Sequence, residues 1–316
     1  MKKSFCFILN PIEVIGAERI ELIPDHWLER ADEEQADLIR EKLGEFCAGM
    51  PFKPEYEREW IPNAENANGV KGKWREYEKW RYWIVSFESR KYEFITIQLA
   101  AELLKNDLDI GFTQTYDETY EVTRISGFQW NTSRISSFFD PQNFHEIQPA
   151  KGIKEIEVRE ITENYALVKA IEKSDSMAYK ALNSFSQLKS LPRQSQMVTF
   201  GYFSIIEALI THRPRLNESL DSLNHQVSTK MVLLSKKFQR QLDYNHHFGE
   251  LEKDKVWKQL YGYRSALAHG IHAEFNSEFK NLRDLPNVLR FLKEAVKLTL
   301  LLAMKEPDFL ADLKKC

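Results

Sequence analysis

The segment Leu260-Tyr261-Gly262-Tyr263-Arg264-Ser265-Ala266-Leu267-Ala268-His269-Gly270 holds the side chains best suited to chemistry. Histidine ordinarily titrates near ~6.5, so His269 can give or take a proton at neutral pH. Arg264 stays charged, and its planar fork matches two oxygens of a phosphate. The pair therefore offers general acid/base catalysis beside a cation that can stabilise charge developing on a phosphate. Ser265 can hydrogen-bond that phosphate or position Arg264. Tyr261, one helical turn before Ser265, can stack a base or order the cleft. Glu207 is a charged residue in an apolar stretch, Ile205-Ile206-Glu207-Ala208-Leu209. A buried carboxylate needs a partner, and Arg264 is the expected one. Arg264 and His269 stand five residues apart, which on a helix is a rotation of about 140° and a rise of ~7.5 Å. One motif therefore does not close a compact site alone. A two-fold dimer with an isologous interface brings two arginines and two histidines into one cleft.

The motif resembles the R-x4-H signature of HEPN domains, and more closely the Apea-like HEPN subgroup, in which Tyr-x-x-Arg-Ser is followed by His-Gly. Tyr261, Arg264, Ser265, His269 and Gly270 match that pattern, although many catalytic members carry Asn or Asp where Ser265 stands. The stretch around Glu207 resembles the family's apolar helix, and the likeness covers roughly residues 157–304. It implies an all-α HEPN-type helical bundle acting as a homodimer with a shared site. It also implies a metal-independent endoribonuclease that needs no cofactor and cleaves RNA through the RNA's own 2′-OH. In that reading His269 is the general acid/base and Arg264 clamps the scissile phosphate. The family often serves as toxins or phage-defence effectors. A free ribonuclease would harm its host, so a regulatory protein or a phage-derived trigger is expected as a partner besides RNA. The alternative is a non-catalytic HEPN module for dimerisation or for binding a nucleotide or partner.

Other residues invite weaker readings. Arg264 could cap an acidic partner, and His269 could finish a helix where a cation suits the dipole. His246, His247 and His272 lack a Cys or a His-x3-His pair, so they read as solvated loop histidines and no metal is expected. Cys6, Cys47 and Cys316 have no Cys-x-x-Cys spacing, which argues against a disulfide framework or structural zinc. Lys236, Lys237 and Arg240 read as a solvated helix end that could guide RNA. Trp74, Trp80 and Trp83 could stack bases but suit core and rim packing better. There is no glycine-rich phosphate loop.

The elements that must position these residues follow from pattern. The chain has 316 residues, 43% hydrophobic and 29% charged, an ordinary globular mix. No run is long and apolar enough for a membrane span or a secretory signal, so a cytoplasmic protein with no membrane partner is expected. Net charge is −3, but residues 190–316 carry 19 Lys and Arg against 14 Asp and Glu, a net +5, leaving −8 on residues 1–189. The motif thus lies in the basic part, which could hold a phosphate backbone locally. The fold class expected is α+β. Residues 1–150 read as a mixed α/β domain for sensing or substrate selection, and 151–316 as the helical domain. Strands are predicted at 4–9, 83–87, 120–125 and 127–130, helices at 31–46 and 94–105, and an irregular stretch at 51–73. The Pro- and Gly-bearing stretch 140–152 reads as the linker. Helices are then predicted at 157–173, 174–189, 192–211, 217–237, 249–269 and 287–305. Pro192 is expected to open the third of these, which should be central and apolar on most sides. Gly270 should end the motif helix and Pro307 the last one.

Overall fold

The structure is a computed structural model that describes residues 4–10, 12–46, 58–62, 72–76, 82–87, 93–106, 108–116, 126–130, 151–174, 176–192, 194–215, 221–271 and 273–316. The fold class is α+β: an antiparallel sheet in the N-terminal half and mostly helices in the C-terminal half. The chain divides into two compact units, Met1–Glu163 and Asn164–Cys316. Among the described residues no helix is long and apolar enough to cross a membrane.

In the first unit, strands β1 (Ser4–Ile8), β3 (Arg19–Ile23), β4 (His26–Arg30), β7 (Trp83–Phe87), β8 (Ile110–Tyr116) and β9 (Ser126–Trp130) form one sheet in the order β3-β4-β7-β1-β8-β9. β1 is buried along its whole length because both faces are covered. On one face Phe5, Phe7 and Ile84 pack against Ala36 and Ile39 of α1 (Glu33–Phe46). Helix α1 starts with a reciprocal cap: Asp32 accepts from the Gln35 amide, and Gln35 accepts from the Asp32 amide. On the other face Cys6 meets Thr113, 3.3 Å from its hydroxyl. Burial pushes the Cys6 thiol up to about 12, so it remains protonated and unreactive. Helix α2 (Phe94–Glu102) is buried from Thr96 to Glu102.

Several strands escaped the sequence reading. β3 and β4 are joined by Pro24-Asp25, with Asp25 at φ 66°, a two-residue turn whose signal is present in the sequence. The stretch expected to be irregular contains a hairpin of β5 (Arg58–Pro62) and β6 (Gly72–Glu76). β2 (Ile12–Ile15) pairs in parallel with β10 (Lys151–Lys154). The predicted strand at 120–125, most of the predicted linker and Cys47 lie outside the described residues. Trp83 is buried with the Arg30 guanidinium over its ring, and Arg19 lies over Trp27, so these tryptophans serve packing. Trp80 and the Trp74 side chain lie outside the described residues.

Helix α3 (Glu155–Glu172) contains the division between units. It is followed by α4 (Met177–Gln187), α5 (Gln196–Ile210), α6 (Leu223–Leu234), α7 (Tyr244–Phe248), α8 (Lys253–Ala268), α9 (Leu285–Lys305) and α10 (Pro307–Lys315). Most begin on a side-chain cap: Ser176, Ser195, Ser222, Asp243 and Asp284 each accept an amide of the first turn. Pro192 therefore does not open α5; Ser195 does. Pro307 begins a further helix instead of only ending one, because a missing N–H costs nothing in a first turn. Helix α5 packs against α4, α6 and α9, and α6 packs against α8. Met197 is 59% exposed at the start of α5, on a helix expected to be central.

Candidate functional site

Helix α8 sorts its residues by period. Val256, Trp257, Leu260, Tyr263 and Ala266 are buried, while Tyr261, Arg264 and Ser265 are half-buried on the flank. The helix runs to Ala268 and begins at Lys253, four residues later than expected, because Gly249 at φ 64° terminates α7. His246 and His247 consequently belong to α7, not to a loop.

The end of α8 is built as the sequence suggested. Gly270 adopts φ 66°, its amide donates to the Leu267 carbonyl, and the Ile271 amide donates to the Ala266 carbonyl. That double closure is the Schellman arrangement, and glycine is the residue that reaches it without strain. His269 is held at the C-cap with its amide bonded to the Ser265 and Ala266 carbonyls, and its side chain is exposed. A cationic ring at this end would be favoured by the helix dipole.

Arg264 points toward α5. Its Nη2 lies 3.4 and 3.5 Å from the two carboxylate oxygens of Glu207. The guanidinium also lies 5.5 Å from the Tyr261 ring and 5.9 Å from the Phe200 ring, within cation–π range. Tyr261 in turn meets Phe203 edge-on, at 5.7 Å between centroids. Phe200, Phe203 and Glu207 are spaced by three and four residues, so one flank of α5 forms a wall for the arginine.

This ion pair is loose. A charge-assisted bond normally closes to about 2.7–2.9 Å. Glu207 Oε1 and Arg264 Nε are both buried without a hydrogen-bond partner among the described residues. The side chains are nevertheless only partly covered, at 25% exposure for Arg264 and 17% for Glu207. Burial pushes the Glu207 carboxyl above its ordinary value, against the opposing pull of Arg264 and the Tyr261 hydroxyl. The Tyr261 phenol is raised as well, by burial first and by the Glu207 charge second.

The sequence named Glu207, Tyr261 and Arg264, and the structure brings these three together. His269 stands apart from them, exposed at the helix end, and Ser265 lies between on the same helix. The aromatic wall of Phe200 and Phe203 was missed as part of the site. Its signal is present in the sequence, because both fall on the flank of α5 that carries Glu207, within a helix whose apolar residues read as core.

The raised carboxyl gives a signed expectation. A carboxyl raised in the folded state binds its proton more tightly there than when unfolded, so its protonated form stabilises the fold. That contribution is present below the ordinary carboxyl range and is lost as pH rises through the folded value. Glu207→Gln removes the titration. Its stability relative to wild type is expected to improve as pH rises from about 4.5 to about 7. Parallel urea curves for the two proteins across that range test this, and a constant offset would count against it.

Among the described residues no three His, Cys, Asp or Glu side chains are grouped to hold an ion. His247 Nδ1 donates to Asn287 Oδ1 at 2.8 Å, and burial pushes the ring below its ordinary value. His272 lies outside the described residues. Of Lys236, Lys237 and Arg240, Lys237 pairs with Glu306 and Arg240 with Glu294, so two of these three cations face carboxylates. No family model matches the chain, and no curated protein or solved structure matches it.

Proposed function

We propose that the C-terminal unit is a HEPN-type, metal-independent endoribonuclease that works as a homodimer on RNA. The carrying observation is the disposition of α8: a partly exposed Arg264 in an aromatic cradle and an exposed His269 at a hydrogen-bonded helix end. Arg264 supplies charge to a scissile phosphate, and His269 supplies proton transfer. Because the two project about 140° apart on one helix, a single chain does not converge them on one phosphorus. A second copy related by a two-fold axis supplies the complementary residue. A role as a toxin or phage-defence effector follows from the same resemblance.

The looseness of the Arg264–Glu207 pair supports this reading. A structural ion pair gains most from short, bidentate geometry, whereas an arginine awaiting a phosphate is better held lightly. That Arg264 is paired at all favours a second reading, a HEPN module that dimerises or binds a nucleotide or partner without cleaving it.

The test is incubation of purified full-length protein with total cellular RNA in EDTA, beside Arg264→Ala. Cleavage by wild type, reduced about 10²-fold or more in the variant, is the expected result for loss of a transition-state charge contact. Equal cleavage by both would remove Arg264 from the reaction. Absence of cleavage, with nucleotide binding retained, would favour the second reading.

A further inference from the structure

Away from this site, the end of α5 carries a dense polar cluster. His212 follows the last turn of α5, and its two ring nitrogens meet two different groups. Nε2 lies 2.8 Å from Asp221 Oδ1, and Nδ1 lies 2.9 Å from the backbone carbonyl of Lys314, in the last turn of α10. A carbonyl oxygen can only accept. Asp221 is held as an acceptor too. Its Oδ2 takes the Arg215 amide at 2.7 Å, and its Oδ1 takes the Gln226 side-chain amide at 3.0 Å. The Arg215 amide, more than the charge of His212, holds the Asp221 carboxyl below its ordinary value. Gln226 cannot turn over to relieve the arrangement. Its oxygen accepts from the His212 amide at 3.0 Å and from Lys230 Nζ at 3.4 Å.

Both ring nitrogens therefore face acceptors. A neutral imidazole has one donor and one lone pair, while the imidazolium has two donors. Only the protonated ring satisfies both neighbours. The last carbonyls of a helix lack partners within it, and a cation there is favoured by the dipole. His212 thus caps α10 from outside the helix.

We propose that His212 is a proton-operated latch that pins the end of α10 to the end of α5. Protonated, it bridges Asp221 and the Lys314 carbonyl. Deprotonated, it keeps its one N–H for the charged Asp221 carboxylate, the stronger acceptor, and turns a lone pair on the Lys314 carbonyl, so the last turn of α10 loses that bond. The charged and titratable groups around it are Asp221 and Arg215 from the segment after α5, Lys230 from α6, and Lys314 and Cys316 at the end of α10. Glu218 lies outside the described residues. Lys230 Nζ lies 3.0 Å from the Ile210 carbonyl and donates to the Lys314 carbonyl only at 3.5 Å, so His212 is the nearer partner of that carbonyl. The latch closes on the helix that carries Glu207. Lys314 Nζ donates to the Ala208 carbonyl at 2.6 Å, and Thr211 returns a hydroxyl bond of 2.8 Å to the Glu207 carbonyl. The inference does not depend on the ribonuclease reading.

The contribution is present while the ring is protonated and is lost as pH rises. Long-range nitrogen–proton correlation spectra of the full chain read the protonation of each ring nitrogen, with His212→Gln identifying the signal. With the latch closed, at the acidic end of the titration, both His212 nitrogens are expected to carry protons. On raising the pH to about 8, amide protection factors at the end of α10 are expected to fall about tenfold or more, the loss of one charge-assisted hydrogen bond. A single bare ring nitrogen at the lower pH overturns the proposal, as does protection that is unchanged between the two. The wild-type titration decides the matter even if the variant fails to fold, because protection at Leu313, Lys314 and Lys315 is read directly.

Discussion

On the ribonuclease reading proposed above, His269→Ala is expected to lower cleavage of total RNA in EDTA by about 10²-fold or more and to leave the unfolding midpoint nearly unchanged. The two halves of this expectation rest on different observations. Proton transfer by a positioned side chain is worth about 10²–10⁴ in rate, and His269 is the exposed histidine of the motif. The same exposure limits its structural value. The ring lies outside the core, and its only general contribution is the favourable interaction of a cation with the end of α8, about 0.3–1 kcal/mol when charged. The backbone of the cap is untouched, since its bonds run through the amides of His269, Gly270 and Ile271. A gel assay beside a urea melt separates the outcomes. Loss of cleavage with a preserved melt supports catalysis by His269. Loss of both would make the residue structural, and loss of neither would remove it from the mechanism.

Trp257→Ala has the opposite profile, costing about 3–5 kcal/mol of stability. Trp257 is fully buried on the inner face of α8, and its indole N–H donates to the Tyr244 hydroxyl at 2.9 Å. Its ring lies 5.6 Å from Phe291 of α9, which also receives Tyr244 at 5.2 Å and Phe248 at 4.8 Å. Truncation leaves a cavity where α7, α8 and α9 meet and strips a buried hydroxyl of its donor. Trp257→Phe refills most of the volume but not the hydrogen bond, and should recover more than half of the loss. The expected readout is a fall in urea midpoint with the slope unchanged. A loss below about 1 kcal/mol would mean that this junction is not a main source of stability.

How much of this was legible in the sequence depended on the range of the interactions concerned. Helix ends written in local chemistry were read well. Gly270 marked the end of α8 because a positive φ is needed one residue past the cap. α5 and α8 were themselves recognisable from their apolar period. The start of α5 was misread because Pro192 and Ser195 both signal a helix opening, and the serine cap won. The strands were harder. β8 has the sequence Ile-Gly-Phe-Thr-Gln-Thr-Tyr, whose Thr113 and Gln114 are buried as polar residues, so alternation of apolar and polar gave no guide. The Glu207–Arg264 pairing was legible because an isolated carboxylate among apolar residues demands a cation. The aromatic wall was not, since a phenylalanine on a central helix looks the same whether it faces a core or a site. The His212 cluster was invisible in sequence: its parts lie 102 residues apart, and one of them is a backbone carbonyl.

The loose contact between Arg264 and Glu207 changes what an incoming anion experiences. An arginine already facing a carboxylate is locally neutral, so a phosphate reaching it does not add to a bare positive charge. It substitutes for a resident anion, and the displaced carboxylate, which burial already pushes toward its neutral form, loses the cation that favours its charge. Under the proposed function, phosphate binding at this position is an exchange of anions that favours proton uptake by Glu207. Affinity through Arg264 should strengthen as pH falls, and it should respond less steeply to added salt than a solitary arginine contact would.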